Sequence, residues 1–492
     1  MRQRYVNLRI PDRGVRPPGF RPSGVRPSGV RPSGGNATRA AEIVVGDGRI
    51  AAVEPAGARR DGGASGDAAE ERVDLGGALV LPGVIDGHVH FDDPGFTHRE
   101  NFETGTRAAA AGGVSCVVDM PCTTLPPVTS GANLKNKLAV ISPKAHVDFM
   151  LWGGACDNSL AEADWRDRLA ELAEEGVGSI KVYMLSGMDT FRDLGRDQLL
   201  AVLRETERLG VPVGVHAEDR ELVGEITARL RAAGKNDPLD YAASRPAEGE
   251  INAVTTMRDL VRETGARVHV VHVGTGRAVD VIAGARSEGL PMSGETCPHF
   301  LAFTADDLAR QGAVLKTAPV VKTAADRDRL WSGVASGELD YVATDHAAGQ
   351  WPEEKHTGNI WTDYGGVPGV ELLLPYLYSE GVAKGRITLE RLLEVTAGAP
   401  ARFFGVEGKK GRLAPGFDAD FVVFDEGETW TVRAAALHSL NRYTPHEGQT
   451  FTGRVRSLYV RGERAYHRAA DGAEHFAPPG AGRWVRRETR VG

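Results

Sequence analysis

The feature that most constrains the fold is an alternation of short apolar runs with longer amphipathic stretches between residues 84 and 346. The runs are rich in β-branched residues, as buried strands are. Stretches such as DWRDRLAELAEEG and RDQLLAVLRETERLG separate them and have a helical period. The runs are VIDGHVH (84–90), VSCVVDM (114–120), VDFMLW (147–152), GSIKVYM (178–184), VPVGVHA (211–217), RVHVVHV (267–273), PMSGETC (291–297) and LDYVATDH (339–346). This alternation predicts an α/β fold whose parallel strands close into a (β/α)8 barrel of the TIM type.

The segments on either side of the barrel have a strand pattern of their own. Short strands are predicted before residue 82, and the pattern returns after residue 400 in GRLAPGFDADFVVFDEG and TGRVRSLYVRGERAYH. We therefore expect a small β-sandwich domain built from residues 1–81 and 401–470, the barrel at 82–400 and a tail at 471–492. An Arg-Pro-Ser-Gly repeat at about 14–38 is too rich in proline and glycine for a helix, and we expect it to be disordered.

The composition limits the classes of partner. A formal net charge of −7 gives no reason to expect nucleic-acid binding, and no apolar run reaches the length of a membrane span. Four cysteines are scattered without a CxxC pair, and the first residues have no apolar signal core. We expect a cytoplasmic protein with no nucleic-acid partner, no membrane partner and no zinc site made of cysteines.

The stretch DGHVH places His88 and His90 on one face of a strand, because side chains alternate along a strand. Two imidazoles on one face make a chelate that suits zinc, although a pair of hydrogen-bonded histidines is the alternative. Other predicted strand ends carry His216, His272 and Asp345. Since the carboxyl ends of barrel strands meet at one face, we expect these side chains to converge on a metal site.

Lys181 is unusual because it lies in the apolar run GSIKVYM. Lysine is rarely buried without a partner, so one interpretation is a side chain that reaches solvent or an acid at the strand end. The other is chemical, because a buried lysine with a lowered pKa can add carbon dioxide and become a carbamate. Such a group has carboxylate oxygens that can bridge two metal ions.

Together these residues resemble the amidohydrolase superfamily, and more narrowly its cyclic amidohydrolases: dihydroorotase, allantoinase, hydantoinase and dihydropyrimidinase. The blocks VLPGVIDGHVHFDDPG, ENFETGTRAAAAGGVSCVVDMP, VHAED, ETCPHF and ATDHA are similar to that group, and the resemblance runs from about residue 40 to 465. It implies two divalent ions, usually zinc, bridged by a carbamate on Lys181 and by hydroxide. His88 and His90 would hold one ion, His216 and His272 the other.

The resemblance also implies the chemistry. Asp345 would bind the first ion and act as the catalytic residue that takes a proton from the attacking water and passes it to the leaving ring nitrogen. The reaction would open a cyclic amide C–N bond in a small substrate. The group further implies a homo-oligomer, a dimer or a tetramer.

The substrate-binding positions differ from the patterns of the relatives. Asp92 stands where dihydroorotases have the arginine of HxHxR, and Cys122 and Ala318 stand where they have asparagines. Gly349 replaces their histidine after the last strand, and Ser186 stands where hydantoinases have a tyrosine, five residues after Lys181. We therefore predict substrate contacts at Asp92, Cys122, Ser186 and Ala318. Asp92 has a second interpretation, an acid that accepts a hydrogen bond from a ligand histidine or packs against the DPG turn.

An anionic ring would lose its arginine at position 92 and meet a carboxylate, which is costly if both are desolvated. Allantoinases carry neither the arginine nor the tyrosine, so an allantoinase-like activity on a cyclic ureide, imide or lactam is predicted. Dihydroorotase and hydantoinase or dihydropyrimidinase activities are alternatives within the group. A non-catalytic binding protein on the same barrel is the alternative of another class, and retention of all the ligands speaks against it.

Overall fold

The computed structural model describes residues 2–12, 36–57 and 70–488. The Arg-Pro-Ser-Gly repeat predicted at about 14–38 lies outside the described residues except for its last three positions, and Thr38 already begins a strand. The strands are β1 Arg2–Pro11, β2 Thr38–Gly46, β3 Arg49–Pro55, β4 Glu71–Pro82, β5 Val84–His90, β6 Val114–Asp119, β7 Asp148–Leu151, β8 Gly153–Gly154, β9 Ile180–Tyr183, β10 Val213–His216, β11 Val268–Val270, β12 Met292–Thr296, β13 Tyr341–Val342, β14 His346–Ala347, β15 Phe421–Thr431, β16 Thr450–Val460, β17 Glu463–Arg468 and β18 Glu474–Phe476.

Helices separate most of the strands between β5 and β15, and their ends follow ordinary capping chemistry. The side chain of Asn101 accepts hydrogen bonds from the first turn of helix α1, and Gly210 ends α5 in the left-handed conformation. No helix in the described part of the chain is both long and apolar enough to cross a membrane. The helices are α1 Phe102–Ala111, α2 Gly131–Ile141, α3 Asp157–Leu160, α4 Trp165–Glu174, α5 Arg196–Leu209, α6 Arg220–Ala232, α7 Pro238–Ser244, α8 Ala247–Thr264, α9 Gly276–Ser287, α10 Pro298–Ala302, α11 Ala305–Gln311, α12 Ala324–Ser336, α13 Leu373–Tyr376, α14 Leu389–Leu393 and α15 Ala399–Phe403.

Two parallel sheets form the centre of the chain. Their strand orders are β14-β5-β6-β7 and β13-β12-β11-β10-β9-β8. Each of the eight apolar runs contains one of these strands, so the prediction of an α/β fold with parallel strands is confirmed. Only Trp152 separates β7 from β8, and residues 343–345 separate β13 from β14, so the chain passes directly from one sheet to the other at two places. The carboxyl ends of all these strands therefore face one region.

Strands from both chain ends pair in a third sheet, of eight strands in the order β18-β17-β16-β15-β4-β1-β2-β3. The two ends join where β4 runs antiparallel to β15, with Val423 opposite Val80. Strands β2 and β3 form a hairpin around Asp47 and Gly48, both in the left-handed conformation that such a turn requires. The sheet therefore takes strands from residues 2–82 and 421–476.

The last residues differ from the predicted tail at 471–492. Strand β18 lies inside that range and pairs with β17. Farther along, Trp484 forms a parallel bridge with Phe149 of β7, and the Val485 amide donates to the Phe149 carbonyl at 2.8 Å. The segment was predicted to be a tail because its sequence has no strand period, and pairing with a distant strand does not require one.

A buried lysine ties the third sheet to the parallel strands. Lys410 Nζ lies 2.7 Å from Asp148 Oδ2, 3.1 Å from Asp418 Oδ2 and 2.7 Å from Asp420 Oδ2. Arg461 adds a second cation at Asp148. These carboxylates are close enough together to hold a metal ion, but protein cations already balance their charge.

His438 makes a second link, between two acids from distant parts of the chain. Its Nδ1 lies 3.0 Å from Glu371 Oε1, and its Nε2 lies 3.1 Å from Glu474 Oε2 on β18. Burial lowers the pKa of His438, but these hydrogen bonds outweigh it and raise the pKa to about 9. A pKa raised in the folded state means that the charged pair stabilises the fold fully below about pH 6.5, and that this stabilisation is lost as the pH rises through about 9.

We expect His438→Ala to lower the free energy of unfolding at pH 6 by about 2–3 kcal/mol, and by much less at pH 10. Calorimetric melting of both proteins at the two pH values measures the difference. His475→Ala, an exposed histidine on β18, is the matched control and should melt like the unaltered protein. An equal loss for His438→Ala at pH 6 and pH 10 would show that packing, rather than charge, explains the contribution of His438.

Candidate active site

Two histidines of β5 and one aspartate after β13 meet at the carboxyl ends of the parallel strands. Asp345 Oδ1 lies 3.1 Å from His88 Nε2 and 3.2 Å from His90 Nε2. His88 is fully buried, whereas the side chains of His90 and Asp345 are 8% and 14% exposed, so the group is reached from the side of these two residues. The structure thus brings together three of the predicted metal ligands.

His216 and His272 form a second pair beside the first. His216 Nδ1 lies 3.0 Å from His272 Nε2, and the ring centroids of His272 and His88 are 5.4 Å apart. Burial lowers the pKa of both His216 and His272, which favours the neutral imidazole, the form that binds a metal ion. The two groups of ligands therefore lie side by side.

The backbone turns sharply at two of these ligands. His272 comes two residues after β11 ends, and Asp345 comes three residues after β13 ends. Their φ angles are 41° and 49°, in the left-handed region that non-glycine residues rarely adopt. Strain of this kind persists where the surroundings fix it, typically at functional sites. Both ligands were predicted to lie within the strand ends, and the structure places them in the turns that follow.

Lys181 on β9 is fully buried, and its Nζ has no hydrogen-bond partner among the described residues. Burial lowers its pKa, and Nζ lies 4.8 Å from the centroid of the Tyr183 ring. The alternative that Lys181 reaches solvent or an acid is therefore wrong. A neutral buried amine is the state in which lysine acts as a nucleophile.

Two buried glutamates that are not among the predicted site residues lie behind the histidines. Glu295 Oε1 lies 2.6 Å from His88 Nδ1, and Glu218 Oε2 lies 2.8 Å from His216 Nε2. Arg245 contacts Glu218 in turn. Burial alone would raise the pKa of Glu218, but Arg245 and His216 hold it below its usual range. Carboxylates placed in this way orient ligand histidines, and the acids in VHAED and ETCPHF were the available signal.

The arrangement at His88 fits a bound cation. Burial alone would raise the pKa of Glu295, but His88 and His269 hold it low, so Glu295 is an acceptor and His88 Nδ1 donates to it. The lone pair of His88 Nε2 then faces the carboxylate of Asp345 at 3.1 Å. Two lone pairs at this distance repel each other, so a positive charge must lie between the two atoms, either a proton on Nε2 or a metal ion. Imidazole and carboxylate are ligands that zinc accepts.

Two of the predicted substrate-binding residues lie beside His90. Cys122 Sγ lies 3.8 Å from His90 Nδ1 and 3.2 Å from the Tyr183 hydroxyl. Asp92 is fully buried, with φ of 57°, and neither of its carboxylate oxygens has a hydrogen-bond partner within the described ranges. No hydrogen bond joins the Asp92 side chain to a candidate ligand histidine in the described structure. The Asp92 carbonyl accepts from the Phe96 amide at 2.9 Å, so the alternative that Asp92 packs against the DPG turn stands.

In the described part of the chain, neither of the other two predicted substrate-binding residues hydrogen-bonds to a candidate metal ligand. The Ser186 hydroxyl donates to the Phe191 carbonyl at 2.7 Å and accepts from the Met188 amide, so its own loop uses it. Ala318 is partly buried, and the Tyr241 hydroxyl fixes the residue before it by donating to the Thr317 carbonyl at 3.0 Å. A methyl group at this position can contact a ligand only through packing.

Comparisons with known proteins agree with the geometry. A family model described as the amidohydrolase family matches residues 79–465. An allantoinase of Rubrobacter xylanophilus is 38% identical over 453 residues, which cover 92% of this chain and 95% of that protein. An allantoinase of Escherichia coli K12 is 32% identical and covers 88% and 92%. The solved L-hydantoinase (dihydropyrimidinase) from Arthrobacter aurescens superposes with a TM-score of 0.87, 30% identity and 99% coverage of both chains.

Proposed function

We propose that this chain, which belongs to the amidohydrolase family, opens the ring of allantoin at a site built for two divalent metal ions. The chain is a hydrolase of cyclic amides, as its relatives named allantoinase and hydantoinase are. The choice of allantoin is supported by relatives named allantoinase that are 32–38% identical in sequence. A hydantoin ring is the second candidate, because the superposed structure is that of a hydantoinase.

One observation carries the metal proposal. Buried imidazole nitrogens face a carboxylate at His88 and Asp345, and face one another at His216 and His272. The buried Lys181 has no hydrogen-bond partner among the described residues. His88, His90 and Asp345 would hold one ion, and His216 and His272 the other. A carbamate on Lys181, formed with carbon dioxide, would bridge them. When bound, two such ions lower the pKa of a shared water and polarise a carbonyl oxygen. Zinc is the proposed metal because imidazole is its preferred nitrogen ligand.

Asp345 is proposed as the catalytic proton carrier. Burial alone would raise the pKa of its carboxyl, but His88 and His90 hold it well below its usual range, so it is a carboxylate when water attacks. It is also among the ligands nearest to solvent, with 14% of its side chain exposed. Asp345 would take the proton of the attacking water and deliver it to the ring nitrogen as the C–N bond breaks. The product is an open-chain ureido acid.

We further propose that the two parallel sheets close into one (β/α)8 barrel over residues 82–400. The continuity of β7 with β8 and of β13 with β14 supports this closure. The third sheet would be the small β-sandwich domain, made of segments 1–81 and 401–470. The relatives with a solved structure share the whole chain length, at 99% coverage.

The test of the activity is a panel of rings offered to zinc-loaded protein: allantoin, hydantoin, a dihydropyrimidine, dihydroorotate and a cyclic imide. We expect allantoin to give the highest kcat/KM, measured by the appearance of the open-chain product. A clear preference for hydantoin would favour the second candidate. Turnover of none of the rings by protein that holds two ions would contradict the proposed function and favour the alternative of a non-catalytic binding protein.

Asp92 should set the charge preference of the site. Burial raises the pKa of the Asp92 carboxyl well above its usual range, so this position offers an anionic ring no cation, and it adds a second negative charge whenever the carboxyl ionises. We expect kcat/KM for allantoin to exceed that for dihydroorotate by at least about 100-fold, or roughly 2.7 kcal/mol, and Asp92→Asn to narrow this ratio. Asp92→Arg should narrow it further. If the ratio stays the same in Asp92→Asn, Asp92 does not contact the substrate. The predicted set of contacts at Asp92, Cys122, Ser186 and Ala318 then loses its first member.

The cellular compartment, the partners and the oligomeric state are proposals as well. All four cysteines are unpaired thiols, which supports a reducing compartment such as the cytoplasm. A small cyclic amide is the proposed partner, without nucleic acid or membrane. A homo-oligomer, dimer or tetramer, is proposed from the family, and light scattering of the purified protein measures it.

A further inference from the structure

Tyr183 links the two histidine pairs of the site. Its ring stacks on His216, with centroids 5.0 Å apart and planes 23° apart. Its hydroxyl lies 3.2 Å from Cys122 Sγ, and that sulfur lies 3.8 Å from His90 Nδ1. The residue is 8% exposed, close to the 6% of His90. The phenol at the end of β9 thus contacts His216 with its ring and contacts Cys122, beside His90, with its hydroxyl.

Ser186, which was predicted to contact the substrate, already uses its hydroxyl in hydrogen bonds of its own. Ser186 donates to the Phe191 carbonyl and accepts from the Met188 amide, and both contacts lie within its own loop. The hydrogen bond of the Tyr183 hydroxyl is weaker, because its partner Cys122 is a thiol, which is a poor donor and a poor acceptor. The phenol O–H can therefore turn to a stronger acceptor at small cost.

We propose that the Tyr183 hydroxyl is a catalytic hydrogen-bond donor, which turns from Cys122 to the carbonyl oxygen of the ring as that oxygen gains negative charge. A negatively charged oxygen is a much stronger acceptor than sulfur, so the bond forms mainly in the transition state. The stack on His216 holds the phenol in place beforehand, and a donor placed in advance is what stabilises developing charge. Cys122 then serves as the resting partner of the donor.

The inference rests on the proposed function. Two substitutions separate the effect of the Tyr183 hydroxyl from the effect of its ring. Tyr183→Phe keeps the ring on His216 and removes only the O–H. Tyr183→Leu removes both. With allantoin and zinc-loaded protein, we expect Tyr183→Phe to lower kcat by about 100-fold with KM within about threefold, as for the loss of one donor that acts in the transition state. Tyr183→Leu should, in addition, bind less zinc and melt at a lower temperature.

The matched control is Tyr5→Phe, which removes a phenol O–H in the distant strand β1, where the hydroxyl contacts Gln3 at 2.9 Å. It should turn over allantoin like the unaltered protein. A Tyr183→Phe variant with two ions and kcat within threefold of the unaltered protein would overturn the inference, and a large loss only in Tyr183→Leu would assign Tyr183 to packing. If unaltered, zinc-loaded protein is inert on every cyclic amide, the proposed function fails and the inference fails with it.

Discussion

Replacing Lys181 with methionine is expected to abolish turnover, with a fall in kcat/KM of roughly 10⁴-fold or more, because several residues at the site then lose their function together. Lys181 is the proposed bridge between the two ligand sets, and methionine has similar length but cannot carry a carbamate. Bound zinc, measured by atomic emission, should fall below two ions per chain. Activity and metal content are measured on the same preparation.

Stability provides the matched control, because the two buried lysines differ in their partners. Lys181 has no partner in the described structure, so methionine in its place should leave the melting temperature of metal-free protein unchanged or raise it. Lys410→Met leaves the carboxylates of Asp418 and Asp420 without their cation and should cost about 3–5 kcal/mol. A Lys181→Met protein that keeps two zinc ions and its turnover would contradict the role given to Lys181.

Asp345→Asn is the second substitution with a very large expected effect. Asparagine has the same shape, but it cannot take a proton from water, and removing a general acid–base costs about 10²–10⁴ in rate. We expect kcat to fall by about 10³-fold with a smaller change in KM, measured with allantoin at saturating zinc. Asp193→Asn, an acid paired with Arg220 outside the site, should have no effect.

The zinc content of Asp345→Asn separates two explanations. The variant should keep most of its zinc, because the imidazoles of His88 and His90 remain in place. If the rate falls in proportion to lost zinc, Asp345 acts only as a ligand. If the variant keeps two ions and more than about a tenth of the kcat, the proton passes through another group.

The central strands and the clustering of the candidate ligands could be predicted from the sequence, because their signals are local. A run of β-branched residues predicts a buried strand wherever it packs, and HxH places two imidazoles on one face. The convergence of His216, His272 and Asp345 followed from one rule, that the ends of parallel strands share an edge. The structure places these side chains within a few ångströms of one another.

The details that decide chemistry depend on contacts that no local pattern carries. Ser186 was predicted to contact the substrate, yet its hydroxyl bonds to Phe191, and only the fold of that loop determines this. Glu295 supports His88 from 207 residues away in the chain. The same holds for the C-terminal segment, where Trp484 pairs with Phe149 without any strand pattern of its own.

Titration of metal-free protein with zinc, followed by allantoin turnover at each step, tests the account most directly. Chelator-stripped protein should be inactive, the first ion per chain should restore little, and turnover should rise steeply as the second ion binds. Full activity without metal would contradict the account, and so would a protein that binds two ions and opens no cyclic amide.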